Sequence, residues 1–273
     1  MSAEPPIALV TGASAGLGAE FARQLARRGN RMVLVGRNRD RLELLAAEFG
    51  GAEVLVADLA TEVGVEAVAA RLKDQDRPIS TLVNNAGFGT ADSFLDSTPE
   101  YESDSVEVMV RAVTLLSKTA AEAMVERGHG MILNVSSVAA LLPGGSYSAA
   151  KAFVLTLTES LALELQDTGV QASVVLPGFT RTQFHQRADI DTTAIPEWMW
   201  LDSGEVARTA LTDASQGRVV CVPGLQYRAL SALLQALPRP FVRRLTGTKG
   251  APSMDHADTT EIPDTAKTKA GKF

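Results

Sequence analysis

Tyr147 and Lys151 stand four residues apart in Tyr147-Ser148-Ala149-Ala150-Lys151, and the second serine of a Ser136-Ser137 pair lies ten residues upstream of the tyrosine. Residues at i and i+4 share one helix face, so an ammonium can approach a phenol. A free tyrosine, with a pKa near ~10, is a poor acid or base at neutral pH. A cation held beside it favours the phenolate and lowers that pKa. A serine hydroxyl could hold a carbonyl or alcohol oxygen next to the phenol. The set could then pass a proton to or from a substrate oxygen while a cofactor carries hydride. Read alone, the same residues also fit a surface tyrosine and a solvated lysine opening a helix.

The elements that would have to position them follow a regular alternation. Ile7–Val10, Met32–Val35, Glu53–Ala57, Thr81–Val83, Met131–Val135, Gln171–Leu176 and Arg218–Val222 read as buried strands. Segments of helical length and period lie between them: Leu17–Arg28, Arg39–Phe49, Val63–Lys73, Ser103–Arg127 and Tyr147–Gln166. Strand-helix alternation predicts an α/β fold, a doubly wound and mostly parallel sheet with helices on both faces. Residues 1–246 read as one dinucleotide-binding and catalytic domain, with a substrate lid over about 183–203, an amphipathic C-terminal helix over about 226–245, and a disordered tail over 247–273.

Composition narrows the function classes. The chain has 273 residues, 45% hydrophobic, with a net charge of −6 and no basic stripe, so no nucleic-acid partner is expected. The lone cysteine, Cys221, sits in an apolar run and reads as a strand residue, which excludes a disulfide framework. His129, His185 and His256 lack metal-ligand spacing, so no metal site is expected. Met1 to Pro6 does not read as a signal peptide and no apolar run is long enough to span a bilayer, so a cytoplasmic protein is expected.

Ile7-Ala8-Leu9-Val10 runs straight into Thr11-Gly12-Ala13-Ser14-Ala15-Gly16-Leu17-Gly18, where a helix opens. A strand, a glycine-rich turn and a helix N-terminus make a phosphate site, because glycines let backbone approach a pyrophosphate and the helix end supplies N–H groups. Gly12, Ser14, Gly16, Leu17 and Gly18 are therefore candidate cofactor-binding residues. The second strand ends in Val35-Gly36-Arg37, where an acid would bond a ribose 2′-hydroxyl and an arginine accommodates a 2′-phosphate. Arg37, with Arg39 and Arg41 behind it and Ser14 in the first turn, favours NADP(H) over NAD(H).

At this point the chain resembles the short-chain dehydrogenase/reductase family, in its compact single-domain branch, over about residues 6 to 225. Thr11-Gly12-x-x-x-Gly16-x-Gly18 is similar to the family's cofactor loop. Asp58-Leu59 resembles the pair that contacts adenine, and Asn84-Asn85-Ala86-Gly87 the segment that supports the sheet and borders the cofactor. Ser137, Tyr147 and Lys151 match the catalytic set, and the resemblance favours Ser137 over Ser136. Pro177-Gly178-Phe179-Thr180-Arg181-Thr182 resembles the segment beside the nicotinamide. The resemblance thus implies that Asp58, Leu59, Asn85, Ala86, Pro177, Gly178 and Thr182 join Tyr147 and Lys151 as cofactor contacts. It also implies that Lys151 holds the nicotinamide ribose.

The chain departs from the family pattern twice. Leu141–Ser146 is a shortened turn between serine and tyrosine, in which Gly144 and Gly145 allow a tighter path. The asparagine usual in the fourth helix, which helps a water chain reach the lysine, is replaced by Met109. A thioether offers only a weak acceptor and no donor.

The expected function is a reductase or dehydrogenase acting on a small carbonyl or alcohol, apolar because Phe88, Phe94, Leu142, Phe179, Phe184, Trp198, Met199 and Trp200 could line a pocket. The long helices resemble those that pair in family homodimers and homotetramers. Tyr227–Leu245 could lie on a membrane surface or dock on the body. Two rivals stay open: a nucleotide-binding regulator impaired through Met109, and a membrane-surface adaptor.

Overall fold

Each of the seven apolar runs becomes a strand in the computed structural model, which describes residues 4–89, 92–184, 188, 191–193 and 195–247. The strands are β1 (Ile7–Thr11), β2 (Arg31–Gly36), β3 (Glu53–Val56), β4 (Ile79–Asn84), β5 (Gly130–Val135), β6 (Val170–Val175) and β7 (Val220–Cys221). They form one sheet in the order β3-β2-β1-β4-β5-β6-β7, and every neighbouring pair is parallel. Parallel strands need crossovers, and helices supply them: α1 (Gly16–Arg27), α2 (Arg39–Glu48), α3 (Glu62–Leu72), α4 (Pro99–Val106), α5 (Ala112–Arg127), α6 (Gly145–Glu164) and α7 (Ser203–Ser215). The order reverses between β1 and β4. A crevice opens at the carboxyl ends of the strands at such a reversal.

The sheet is buried on both faces, which is why its strands read as unbroken apolar runs. Successive strand residues face opposite sides. Leu9, Val33 and Leu82 meet Val65 and Leu72 of α3 and Leu116 of α5 on one side. Val10, Leu34 and Val83 meet Phe21 and Leu25 of α1, Leu42 of α2 and Leu211 of α7 on the other. Helix starts follow side-chain caps: Asn38 Oδ1 accepts from Arg41 N at 2.9 Å, and Thr61 Oγ1 accepts from Gly64 N at 3.1 Å.

Two expectations need correction. Ser103–Arg127 is not one regular helix. It begins at Pro99, capped by Thr98, and a π-helical turn over Glu107–Arg111 separates α4 from α5. The C-terminal segment is two helices, α8 (Leu225–Ala236) and α9 (Arg239–Gly247), because Pro238 interrupts the bonding. Tyr227, Ser231 and Leu234 of α8 are buried, so this helix docks on the body through one face. Part of the expected lid over about 183–203, residues 185–187, 189–190 and 194, lies outside the described residues; within the rest, Glu197–Met199 form a 3-10 turn and Ser203 opens α7. The expected tail lies, but for Gly247, outside the described residues.

Candidate active site

The first turn is shaped by glycines because other atoms occupy the places their side chains would take. Gly12 has φ +65°, and a Cβ on it would lie 2.9 Å from Ala86 Cα and from Asn85 Nδ2. A Cβ on Gly18 would lie 2.3 Å from Gly12 O. Asn85 and Ala86 reach the turn from β4: both backbone N–H groups donate to Thr11 Oγ1, at 3.0 and 3.1 Å, and Asn85 Nδ2 donates to Thr11 O at 3.0 Å. Thr182 closes the turn from the other side, since a Cβ on Gly16 would lie 3.3 Å from Thr182 Cβ. The structure therefore brings Gly12, Gly16, Leu17, Gly18, Asn85, Ala86 and Thr182 to one place at the carboxyl edge of the sheet.

Cationic groups stand beside it. A Cβ on Gly36 would lie 3.6 Å from Ser14 Oγ, so Ser14 reaches the end of β2, next to Arg37. Arg37 is 74% exposed and comes within 3.9 Å of Asp58 Oδ2. Asp58 Oδ1 accepts from Ala60 N at 3.1 Å, and Leu59 is buried against the sheet. A groove of about 600 Å³ between α1 and α2 is lined by Ser14, Ala19, Arg23, Arg41, Leu45 and Thr182. Arg23 is committed to Glu48 at 2.8 Å, whereas Arg37 and Arg41 face outward.

Asn84, Asn134, Ser117 and Thr158 form a buried polar bridge under this edge, with Asn84 Nδ2 donating to Asn134 Oδ1 at 2.9 Å and to Ser117 Oγ at 3.0 Å. Asn134 Nδ2 donates to Thr158 Oγ1 at 2.9 Å, which ties β4 and β5 to α5 and α6. Helix α6 is thereby held at the end of β5. Gly145, φ +67°, starts it two residues before Tyr147.

Ser137, Tyr147 and Lys151 meet there. The two serines divide their work. Ser136 is buried and its Oγ donates to Lys151 O at 2.7 Å, fastening the helix to β5. Ser137 caps a short 3-10 turn (Val138–Leu141), its Oγ accepting from Ala139 N at 3.1 Å, and stands close enough to the Tyr147 hydroxyl to lower its pKa. The Lys151 ammonium is 5.6 Å from the Tyr147 ring centroid and donates to Val135 O at 3.0 Å. Burial pushes the Tyr147 phenol up to about 12, with the Ser137 hydrogen bond pulling it down. Burial pushes Lys151 down to about 8. The expected lowering of the phenol by the neighbouring cation is therefore not what governs this pair. Desolvation of a half-buried phenol and a buried ammonium outweighs it.

Met109 sits over the same lysine. A Cβ on Gly87 would lie 3.4 Å from both Lys151 Nζ and Met109 Sδ, so ammonium and sulfur flank one glycine. Met109 is fully buried and lies inside the π-helical turn. Such turns often occur at functional sites, and nothing in the helical periodicity of the sequence signals this one.

The Pro177–Thr182 segment meets the serine through Pro177 O, which accepts from Val138 N at 3.0 Å. Of the expected pocket aromatics, Phe184 lies against Tyr147 with centroids 5.8 Å apart, and Phe179 against Trp200 at 5.9 Å. Phe88 pairs edge-on with Tyr101 at 5.5 Å. Phe94 and Trp198 stand exposed instead.

Comparison with known proteins shows the family. Residues 6–192 match the family model described as short chain dehydrogenase. Oxidoreductase UcpA of Salmonella typhimurium is 35% identical over 183 residues, 64% of this chain and 69% of that protein. A short-chain dehydrogenase from Sphingobium yanoikuyae, solved in complex with NADPH, is 36% identical with a TM-score of 0.77, over 86% of this chain and 96% of that one. A bulky-bulky ketone specific alcohol dehydrogenase from Comamonas testosteroni is 31% identical with a TM-score of 0.73, over the same shares of the two chains. The protein belongs to the short-chain dehydrogenase/reductase family of oxidoreductases.

Proposed function

We propose that the protein is an NADP(H)-dependent oxidoreductase that interconverts a carbonyl and an alcohol on an apolar small molecule. The observation that carries this reading is the Ser137–Tyr147–Lys151 set, its lysine buried, beside a glycine turn that backbone and Asn85 keep free of side chains. The residues fit a dinucleotide. The turn admits a pyrophosphate against α1, and Pro177, Gly178 and Thr182 border the nicotinamide end. Asp58 and Leu59 border adenine. Ser14 and the outward-facing Arg37 receive a 2′-phosphate, since no acid ends β2. The NADPH complex of the similar Sphingobium enzyme supports that preference.

Bound NADPH would supply hydride. This chain's residues handle the proton and the oxygen. Ser137 Oγ holds the substrate oxygen, Tyr147 Oη gives its proton to the alkoxide as it forms, and Lys151 holds the nicotinamide ribose. With its phenol raised to about 12, Tyr147 stays protonated at neutral pH and enters as an acid, which suits reduction. Phe184 against Tyr147 gives the reacting carbon an apolar wall. The similarity to an alcohol dehydrogenase specific for bulky-bulky ketones points to bulky apolar ketones as first substrates.

The test is NADPH oxidation against a panel of bulky ketones and aldehydes, with NADH and Tyr147→Phe run in parallel. Turnover with NADPH that drops ~10²–10⁴-fold in Tyr147→Phe is the expected result. Undiminished turnover in that variant would overturn the assignment. Met109 beside Lys151 favours one second reading, a nucleotide-binding regulator with little turnover, for which NADPH binds and no substrate is reduced.

A further inference from the structure

Tyr227 is among the largest fully buried side chains, 1% exposed, and none of the chemistry above uses it. It projects from α8 onto the Pro177–Thr182 segment. Its ring fills the space over Gly178, where a Cβ would lie 2.0 Å from Tyr227 Cζ, so only glycine fits beneath it. Its hydroxyl is used twice, accepting from Phe179 N at 3.0 Å and donating to Met199 O at 2.8 Å. The same two stretches are joined by backbone on either side. Leu201 N donates to Phe179 O at 2.8 Å, and Arg181 N donates to Leu201 O at 2.9 Å. Arg181 adds an ion pair to Glu197 and lies 5.4 Å from the Trp200 ring centroid. One phenol from a late helix is thus the shared peg of two segments, 178–182 and 197–201.

We propose that Tyr227 is a positioning residue: it fixes the 178–182 segment in the shape that receives the nicotinamide half of the cofactor and joins it to the 197–201 wall. This rests on the reading of Pro177–Thr182 as the nicotinamide segment. Removing the hydroxyl leaves Phe179 N–H and Met199 O without their partner, and backbone groups rearrange sooner than stay unpaired when buried. The displacement reaches the cofactor through Thr182, which packs on Gly16. Arg37 and Asp58 follow β2 and β3, on the opposite side of β1 in the sheet order from β6, which leads into the 178–182 segment, so the adenine end is remote from Tyr227.

The experiment compares full-length wild type with Tyr227→Phe, which keeps the ring over Gly178. Dissociation constants are measured for NADPH and for 2′,5′-ADP, which carries the adenine end without nicotinamide, alongside kcat and KM. The expected result is unchanged 2′,5′-ADP binding, NADPH binding weakened by about tenfold, and a lower kcat. Gly178→Ala, which pushes the segment off the ring from the other side, should give the same split. Equal weakening of both ligands would mean general loosening and would overturn the proposal, as would no change in either ligand or in kcat. Wild type that binds 2′,5′-ADP and NADPH equally well would overturn the nicotinamide reading itself, a result the variants cannot produce.

Discussion

Lys151 keeps its ammonium in a place that penalises charge, 5% exposed and donating to the Val135 carbonyl, and burial holds it down to about 8. The sign of the resulting linkage is fixed. The unfolded chain retains that proton between about 8 and its ordinary ~10.5, so this group makes stability rise with pH across the window. Below it the folded protein carries the whole cost. Lys151→Met should therefore melt higher at pH 7, by a few °C for about 1–2 kcal/mol relieved, while losing turnover. A thermal scan of the ligand-free variant checks it, and a lower melting point would contradict it. If Lys151 holds the ribose as proposed, its charged form fades as pH rises through about 8, and NADPH should bind more weakly at pH 9 than at pH 7, by titration. Arg37→Ala should raise the KM for NADPH by ~10–100-fold, the worth of about 1.5–3 kcal/mol for a charged hydrogen bond, and leave that for NADH unmoved. The proximity of Tyr147 and Lys151 was legible because i and i+4 neighbours are set by the helix alone. Their protonation was not, because it depends on enclosure by Phe184 and β5, which no local spacing encodes.

At the scale of elements, the π-helical turn is the feature with most leverage. It carries Met109, whose sulfur and the Lys151 ammonium both flank Gly87, at the position where the resemblance calls for an asparagine. Met109→Asn should place an amide dipole beside the ammonium, raise the Lys151 pKa above about 8 and carry the alkaline limb of the pH–rate profile upward. Loss of a fully buried methionine should lower stability by ~1–3 kcal/mol at the same time. An alkaline limb that stays in place would show that Met109 does not act on the lysine. Helix α3 offers a second lever: a Cβ on Gly64 would lie 1.9 Å from Asp58 O. Gly64→Ala must shift the start of α3 or the Asp58 backbone, so adenine-end affinity should fall with stability, read by 2′,5′-ADP titration and melting. The strands were legible because burial on both faces leaves continuous apolar runs. The π turn was invisible because one extra residue in a bonding ring leaves the apolar pattern of Ser103–Arg127 nearly unchanged. The C-terminal break was visible in Pro238, but the burial of Tyr227 was not, since its partner Gly178 is far away in sequence.

The homodimer or homotetramer expected from the resemblance of the long helices needs apolar surface outside the core, and Leu115, Val125, Phe153 and Leu163 are exposed on α5 and α6. Sedimentation should give two or four times 28.9 kDa. Phe153→Glu with Leu163→Glu should reduce the mass to one chain, and no change would place the interface elsewhere. Among the described residues no helix is long and apolar enough to cross a membrane. The strand order has a consequence for synthesis. β1 is made first yet lies in the middle of the sheet, between β2 and a β4 that begins at Ile79. The nascent chain must hold an apolar first strand half-paired until β4 has left the ribosome, and β7, the far edge, is added after nearly all of the sheet exists. Synthesis of the sheet therefore runs outward from β1, and the glycine turn that follows β1 is made long before Tyr147 and Lys151.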